Sequence, residues 1–197
     1  MDHATLRRIA AATAVVMDEF GGNVDVFFLM KALYRADRRM LEEFGRPITG
    51  DRYSSMPMGP ILCETYDLVR GKSDAPGMQD RWNEAFSTNQ NTVTPKGEID
   101  RGPLAPVEEG ILRDEALLVR QKRDNRESVA EWMHQTCPEW ERVPAKTSKP
   151  LPIERILRFL PGHEKTNSEW VTAAIAHGGR IRSSDLLSDK PLLLRPN

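Results

Sequence analysis

Residues 23–71 read NVDVFFLMKALYRADRRMLEEFGRPITGDRYSSMPMGPILCETYDLVRG. The stretch divides at Gly45-Arg46-Pro47 and at Gly59-Pro60. Proline cannot continue a helical hydrogen-bond ladder, but it suits the first position of a new helix. The pattern predicts a helix, a Gly-Pro turn, a short extended piece near Tyr53, and a second helix opened by Gly59-Pro60. At 100° per residue, Val26, Leu29, Met30, Leu33, Tyr34, Met40, Leu41 and Phe44 fall on one half of the first helix. Lys31, Arg35, Arg38, Arg39, Glu42 and Glu43 fill the other half. So broad an apolar face predicts a helix central to the core.

Two residues break that pattern. Asp37 lies inside the apolar arc, where an unpaired carboxylate costs several kcal/mol or is forced to protonate. The favoured reading is a structural tie to a neighbouring loop, with the turn before Pro60 as the candidate; a catalytic carboxylate is the alternative. Phe28 lies among Lys31, Arg35 and Arg39 on the polar half. It is either a second layer of packing or an anchor for a protein partner, since aromatic residues and Arg are enriched at such interfaces.

Outward from this stretch the chain reads mostly as helix. Asp2 is a candidate N-cap for residues 3–19, where Leu6, Ile9, Ala10, Thr13, Met17 and Phe20 form a stripe that Gly21-Gly22 ends. Asn23 or Asp25 caps the central helix. Residues 71–103 are polar and turn-rich, and residues 91–95 are a candidate strand to pair with the one near Tyr53. Trp82 and Phe86, four apart, anchor either a helical turn or an extended segment. Pro106 starts a helix whose apolar side is read as Val107, Ile111, Leu112, Leu117 and Leu118. Ser128 is read as the N-cap of a helix containing Val129, Trp132 and Met133. Residues 144–152 read as a linker, 152–160 as a short helix, and Asn167 or Ser168 as the cap of another that Gly178-Gly179 ends. The expected fold is mainly α: a compact multi-helix domain with a small β-hairpin element and a helical C-terminal extension.

The 197 residues carry a net charge of −1, with 39% hydrophobic and 29% charged residues, as in soluble globular proteins. The balance is uneven. Residues 1–141 hold 18 Lys and Arg against 24 Asp and Glu, and residues 142–197 hold 10 against 5. The basic extension reads as either an arm for an acidic partner or, preferentially, a segment packed on its own body. No apolar run approaches the ~20 residues a membrane span needs, and no signal pattern opens the chain, so a cytoplasmic protein is expected. Cys63 and Cys137 read as two buried thiols, kept reduced. His3, His134, His163 and His177 are scattered, no metal-ligand spacing is present, and the glycine pairs are helix stops rather than a phosphate-binding loop. No cofactor or metal is expected.

The order Lys31-x-x-Tyr34-x-x-Asp37, Gly45-x-Pro47-Ile48-Thr49, Tyr53, Gly59-Pro60-Ile61, then His134 and Pro138-Glu139-Trp140, resembles the Panacea domain of SocA-like, phage-associated antitoxins. The resemblance spans roughly residues 5–141, leaving 142–197 as a separate extension. It implies a mainly helical domain with a small β element, carried beside a toxin gene and neutralising the toxin as a protein. The motif residues are then Lys31, Tyr34, Asp37, Pro47, Tyr53, Gly59, Pro60, His134 and Trp140. The expected partner is a cognate toxin protein, with a protease or chaperone as a further candidate, and neither nucleic acid nor membrane.

The candidate toxin contacts are Phe28, Lys31, Arg35 and Arg39. The competing class is an enzyme using Tyr34, Asp37 and His134 as an acid–base set, which requires all three to line one solvent-open cleft. A weaker alternative is a DNA-binding regulator using the Lys31–Arg39 face.

Overall fold

Helix α2 (Val26–Phe44) runs through the core of the computed structural model, which describes residues 1–162. Asp25 caps its start by accepting from Phe27 N at 2.8 Å. Gly45 ends it in the left-handed conformation (φ +69°), its N–H donating to Leu41 O. Helix α1 (His3–Glu19), capped by Asp2, and helix α5 (Pro106–Gln121) pack against α2 and against each other. Ile9, Val16, Leu29, Leu33, Leu41, Leu112 and Val119 are among the side chains buried between them. Fully burying such a side chain stabilises by about 1.5–3 kcal/mol.

Two small antiparallel sheets flank this helical layer. Strand β1 (Val24–Asp25) pairs with β5 (Thr92–Pro95), which pairs with β4 (Phe86–Asn89). The register sets Val24 opposite Val93 and Thr88 opposite Val93. In the second sheet β2 (Tyr53–Met56) lies between β3 (Gly59–Leu62) and β6 (Lys149–Leu151). Tyr53 faces Leu62 on one side and Leu151 on the other. Both prolines in this sheet, Pro60 and Pro150, sit on its edge strands, where the missing N–H breaks no ladder. Helices α3 (Cys63–Val69), α4 (Met78–Ala85), α6 (Arg126–Thr136) and α7 (Ile153–Arg158) complete the described chain.

The mainly α expectation holds, and the structure corrects four details. Gly59-Pro60 opens strand β3, not a helix; α3 starts at Cys63. Asp51 caps α3 from a distance, accepting from Glu64 N, Thr65 N and Thr65 Oγ1 at 2.7–2.9 Å. The strand at 92–95 pairs with β4 and β1, not with the strand at Tyr53, because the turn at Gln90-Asn91 folds it back on its own neighbour. Asn125, rather than Ser128, caps α6, its side chain accepting from Ser128 N at 2.7 Å. Within 144–152, read as a linker, residues 149–151 add a strand to β2.

Trp82 lies on α4 and Phe86 opens β4, with ring centroids 4.4 Å apart. Downstream of β6, Ile156, Leu157 and Leu160 are buried in the same core. The helix expected after Asn167 or Ser168, and the apolar residues Leu192–Leu194, lie outside the described residues. No described helix is long and apolar enough to cross a membrane.

Candidate functional site

The residues singled out by the motif pattern meet along one side of α2, where the β2–β3 hairpin and the segment after α6 close over it. Asp37, 1% exposed, accepts from Ile48 N at 2.8 Å, Thr49 N at 2.9 Å and Tyr53 Oη at 2.9 Å, and also from Thr49 Oγ1. Burial pushes its carboxyl up to about 6, opposed by the hydrogen bonds from Thr49 and Tyr53. The tie expected for Asp37 is present, but it holds the loop just after Pro47 rather than the turn before Pro60.

One helical turn earlier, Tyr34 is fully buried and donates to Glu139 Oε1 at 2.6 Å. Arg38 Nε reaches the same oxygen at 2.9 Å. Burial and the adjacent carboxylate push the Tyr34 hydroxyl well above its usual range. Burial likewise pushes the neighbouring Cys137 thiol up to about 11. Both cysteines are free; Cys137 is buried as expected, whereas Cys63, at the start of α3, is only half-buried.

His134 and Trp140 form a stacked pair, ring centroids 3.7 Å apart. Trp140 Nε1 donates to Met56 O at 2.8 Å, pinning the hairpin tip. Burial, then the charge of Lys31, lowers the pKa of His134.

Lys31 departs from its expected place. It is 1% exposed, not part of a solvated face, because strand β3 covers this section of α2. Its Nζ donates to Pro60 O at 3.0 Å and lies 5.1 Å from the Phe27 ring centroid. Burial lowers its pKa to about 7. A side chain on Gly59 would put Cβ 3.2 Å from Lys31 Nζ and 3.3 Å from Met133 Cβ, and Gly59 has φ +101°. Glycine is therefore required where β3 crosses Lys31.

The other candidate contacts are mostly taken up inside the molecule. Arg35 pairs with Glu115 at 2.6 Å, donates to Thr136 Oγ1 at 3.2 Å and lies over the Trp132 ring at 4.2 Å, tying α2 to α5 and α6. Arg39 pairs with Glu43 at 2.7 Å and Asp114 at 3.0 Å but keeps a third of its side chain in solvent. Phe28 is half-buried, stacked on Phe20 and edge-on to Phe27. Beside Arg39 on α5, Leu117 and Leu118 are exposed, as is Val107, although all three read as inward-facing in the sequence. Ile111, Leu112, Ala116 and Val119 form the inner side instead. The exposed leucines could have been found from the Ala116–Val119 spacing, which closes the inner stripe without them.

Tyr34, Asp37 and His134 do not share a cleft. The first two are shut off from solvent with separate partners, Glu139 and the 48–53 loop. Among the described residues no group of His, Cys, Asp and Glu is arranged to hold a metal ion.

A family model for the SocA-like antitoxin, Panacea domain, matches residues 29–141. The chain belongs to that family. The matched segment begins inside α2, later than the residue 5 expected, and ends at the residue after Trp140. No curated protein and no solved structure matches the chain. Membership supports an antitoxin role in general.

Proposed function

We propose that this protein neutralises a cognate toxin protein by binding it directly. The observation that carries the reading is the family match over the segment where the motif residues meet. Those residues act as framework. Asp37 and Tyr34 are buried on partners of their own, Trp140 pins the hairpin tip, and His134 is stacked on Trp140. Among the described residues, the surface we assign to a partner is the outer side of α2 and α5, where Arg39 pairs with Asp114 and Leu117 and Leu118 are exposed, with Phe28 further along α2. Apolar side chains flanked by paired charges suit a protein contact. A DNA-binding role is less well supported: Lys31 is covered, and Arg35, Arg38 and Arg39 are each committed to a carboxylate.

Co-expression tests the reading. A neighbouring gene whose product arrests growth alone should be tolerated when this chain is co-expressed. Arrest that persists despite soluble chain, for every neighbouring gene, would remove the proposal.

A further inference from the structure

A cavity of about 340 Å³ opens beside the framework, between the start of α2, the tip of the β2–β3 hairpin, the end of α3 and the start of α6. Its walls are largely apolar, with Phe27, Ile61 and three methionines, Met30, Met56 and Met58. Methionines adapt their shape to varied apolar ligands.

Every charged side chain on the lining is a cation: Lys31, Arg70, Arg126 and Lys146. Arg126 is neutralised by Asp25 at 2.5 Å. Among the described residues Arg70 contacts neutral groups, Asn91 Oδ1 at 2.9 Å, Gln90 O at 3.4 Å and the Tyr66 ring at 5.2 Å. Lys31, buried on the lining, has the single acceptor Pro60 O for an ammonium with three donors. Three of the four cations, Lys31, Arg70 and the exposed Lys146, thus line an apolar cavity with no carboxylate partner among the described residues, and of these Lys31 is the buried one. A buried cation is stable when an anion pairs with it, and elsewhere in this protein Arg8, Arg35 and Arg38 each have a carboxylate.

We propose that this cavity is a binding site for a small organic carboxylate with an apolar body, its acid group seated between Lys31 and Arg70 and its tail among the methionines. The cavity is at the small end of ligand pockets, with room for about ten to fifteen non-hydrogen atoms. The assignment is independent of the toxin-binding reading. It gives the domain a means of responding to a metabolite, because an anion at Lys31 stabilises the crossing of β3 over α2.

Titration calorimetry on the full chain tests this, with octanoate as the probe and octanol as its uncharged counterpart. Octanoate should bind with a Kd of about 1 mM or tighter, and octanol roughly tenfold more weakly. Lys31→Met keeps the apolar volume and removes the charge, so it should cost octanoate about tenfold and leave octanol unchanged. Arg70→Gln, on the cavity rim, should weaken octanoate about threefold and covers the case in which the Lys31 variant fails to fold. No octanoate binding up to about 5 mM, equal affinity for octanol, or octanoate binding unchanged in the folded variants would overturn the assignment.

Discussion

Asp37 and Lys31 lie on the same helix, both closed off from water, and their surroundings treat them in opposite ways. Asp37 meets four donors, two backbone N–H groups and two hydroxyls. Lys31 meets one acceptor. The carboxylate region is complete in itself: it closes α2 onto the 48–53 loop and has no remaining polar demand. The lysine region is incomplete and adjoins a cavity, and burial works against the charge there, lowering the pKa of Lys31 to about 7. A buried charge with full satisfaction serves structure; one left short of partners calls for an explanation.

The largest test of this contrast is removal of the carboxylate. Asp37→Ala strands the Ile48 and Thr49 N–H groups and the Thr49 and Tyr53 hydroxyls, so urea denaturation should show a loss of about 3–5 kcal/mol. A loss below about 1 kcal/mol would mean that the loop is held by other contacts.

Lys31→Met should move stability the other way. The folded pKa of Lys31, about 7, lies below its ordinary 10.5, so between these values the unfolded chain binds more protons. Stability therefore rises with pH across that window, and the burial cost is fully present below pH 7. The Met variant should be more stable by about 2–4 kcal/mol at a pH near 6, and the gain should shrink at higher pH. His134 and Cys137, the titrating neighbours of Lys31, remain in the variant and provide the background slope. A gain that does not depend on pH would show that packing, not charge, is responsible.

Gly59→Ala probes the crossing itself. A positive φ and a Cβ wedged against Met133 Cβ predict a loss of about 1–3 kcal/mol, read from the melting temperature. An unchanged melting temperature would mean that β3 can shift away from Lys31.

Much of this was legible in the sequence, for reasons that single residues illustrate. Asp2 and Asp25 start helices and Gly45 ends one through local hydrogen bonds and backbone preferences that need no tertiary partner. Asp37 was legible as an anomaly because a charge inside an apolar arc demands donors, although the sequence did not say which loop brings them. Lys31 was misread because a helical wheel assigns charge to solvent and has no record of a strand crossing that side. Gly59-Pro60 was misread as a helix start because Gly-Pro also suits an edge strand, and only the pairing with β2 decides between the two. Strand β6 was hidden in a proline-rich segment for the same reason. Leu117 and Leu118 were counted as core because apolar residues are usually buried, whereas here they are 37% exposed.

Outside the framework, Arg39 gives the smallest stability effect and leads to the decisive experiment. Its pairs with Glu43 and Asp114 lie near the surface, so Arg39→Ala should cost less than about 1 kcal/mol. A melting temperature as low as that of Asp37→Ala would merge the two regions and remove the distinction between framework and contact face.

Titration of the purified chain with the neighbouring gene's toxin product decides whether the chain binds a toxin directly. A stoichiometric complex is predicted, weakened about tenfold or more by replacing Phe28, Arg39 and Leu118 together while the chain stays folded. Absence of a complex would rule out neutralisation by direct binding, and a complex indifferent to those three replacements would rule out the α2–α5 face as the contact.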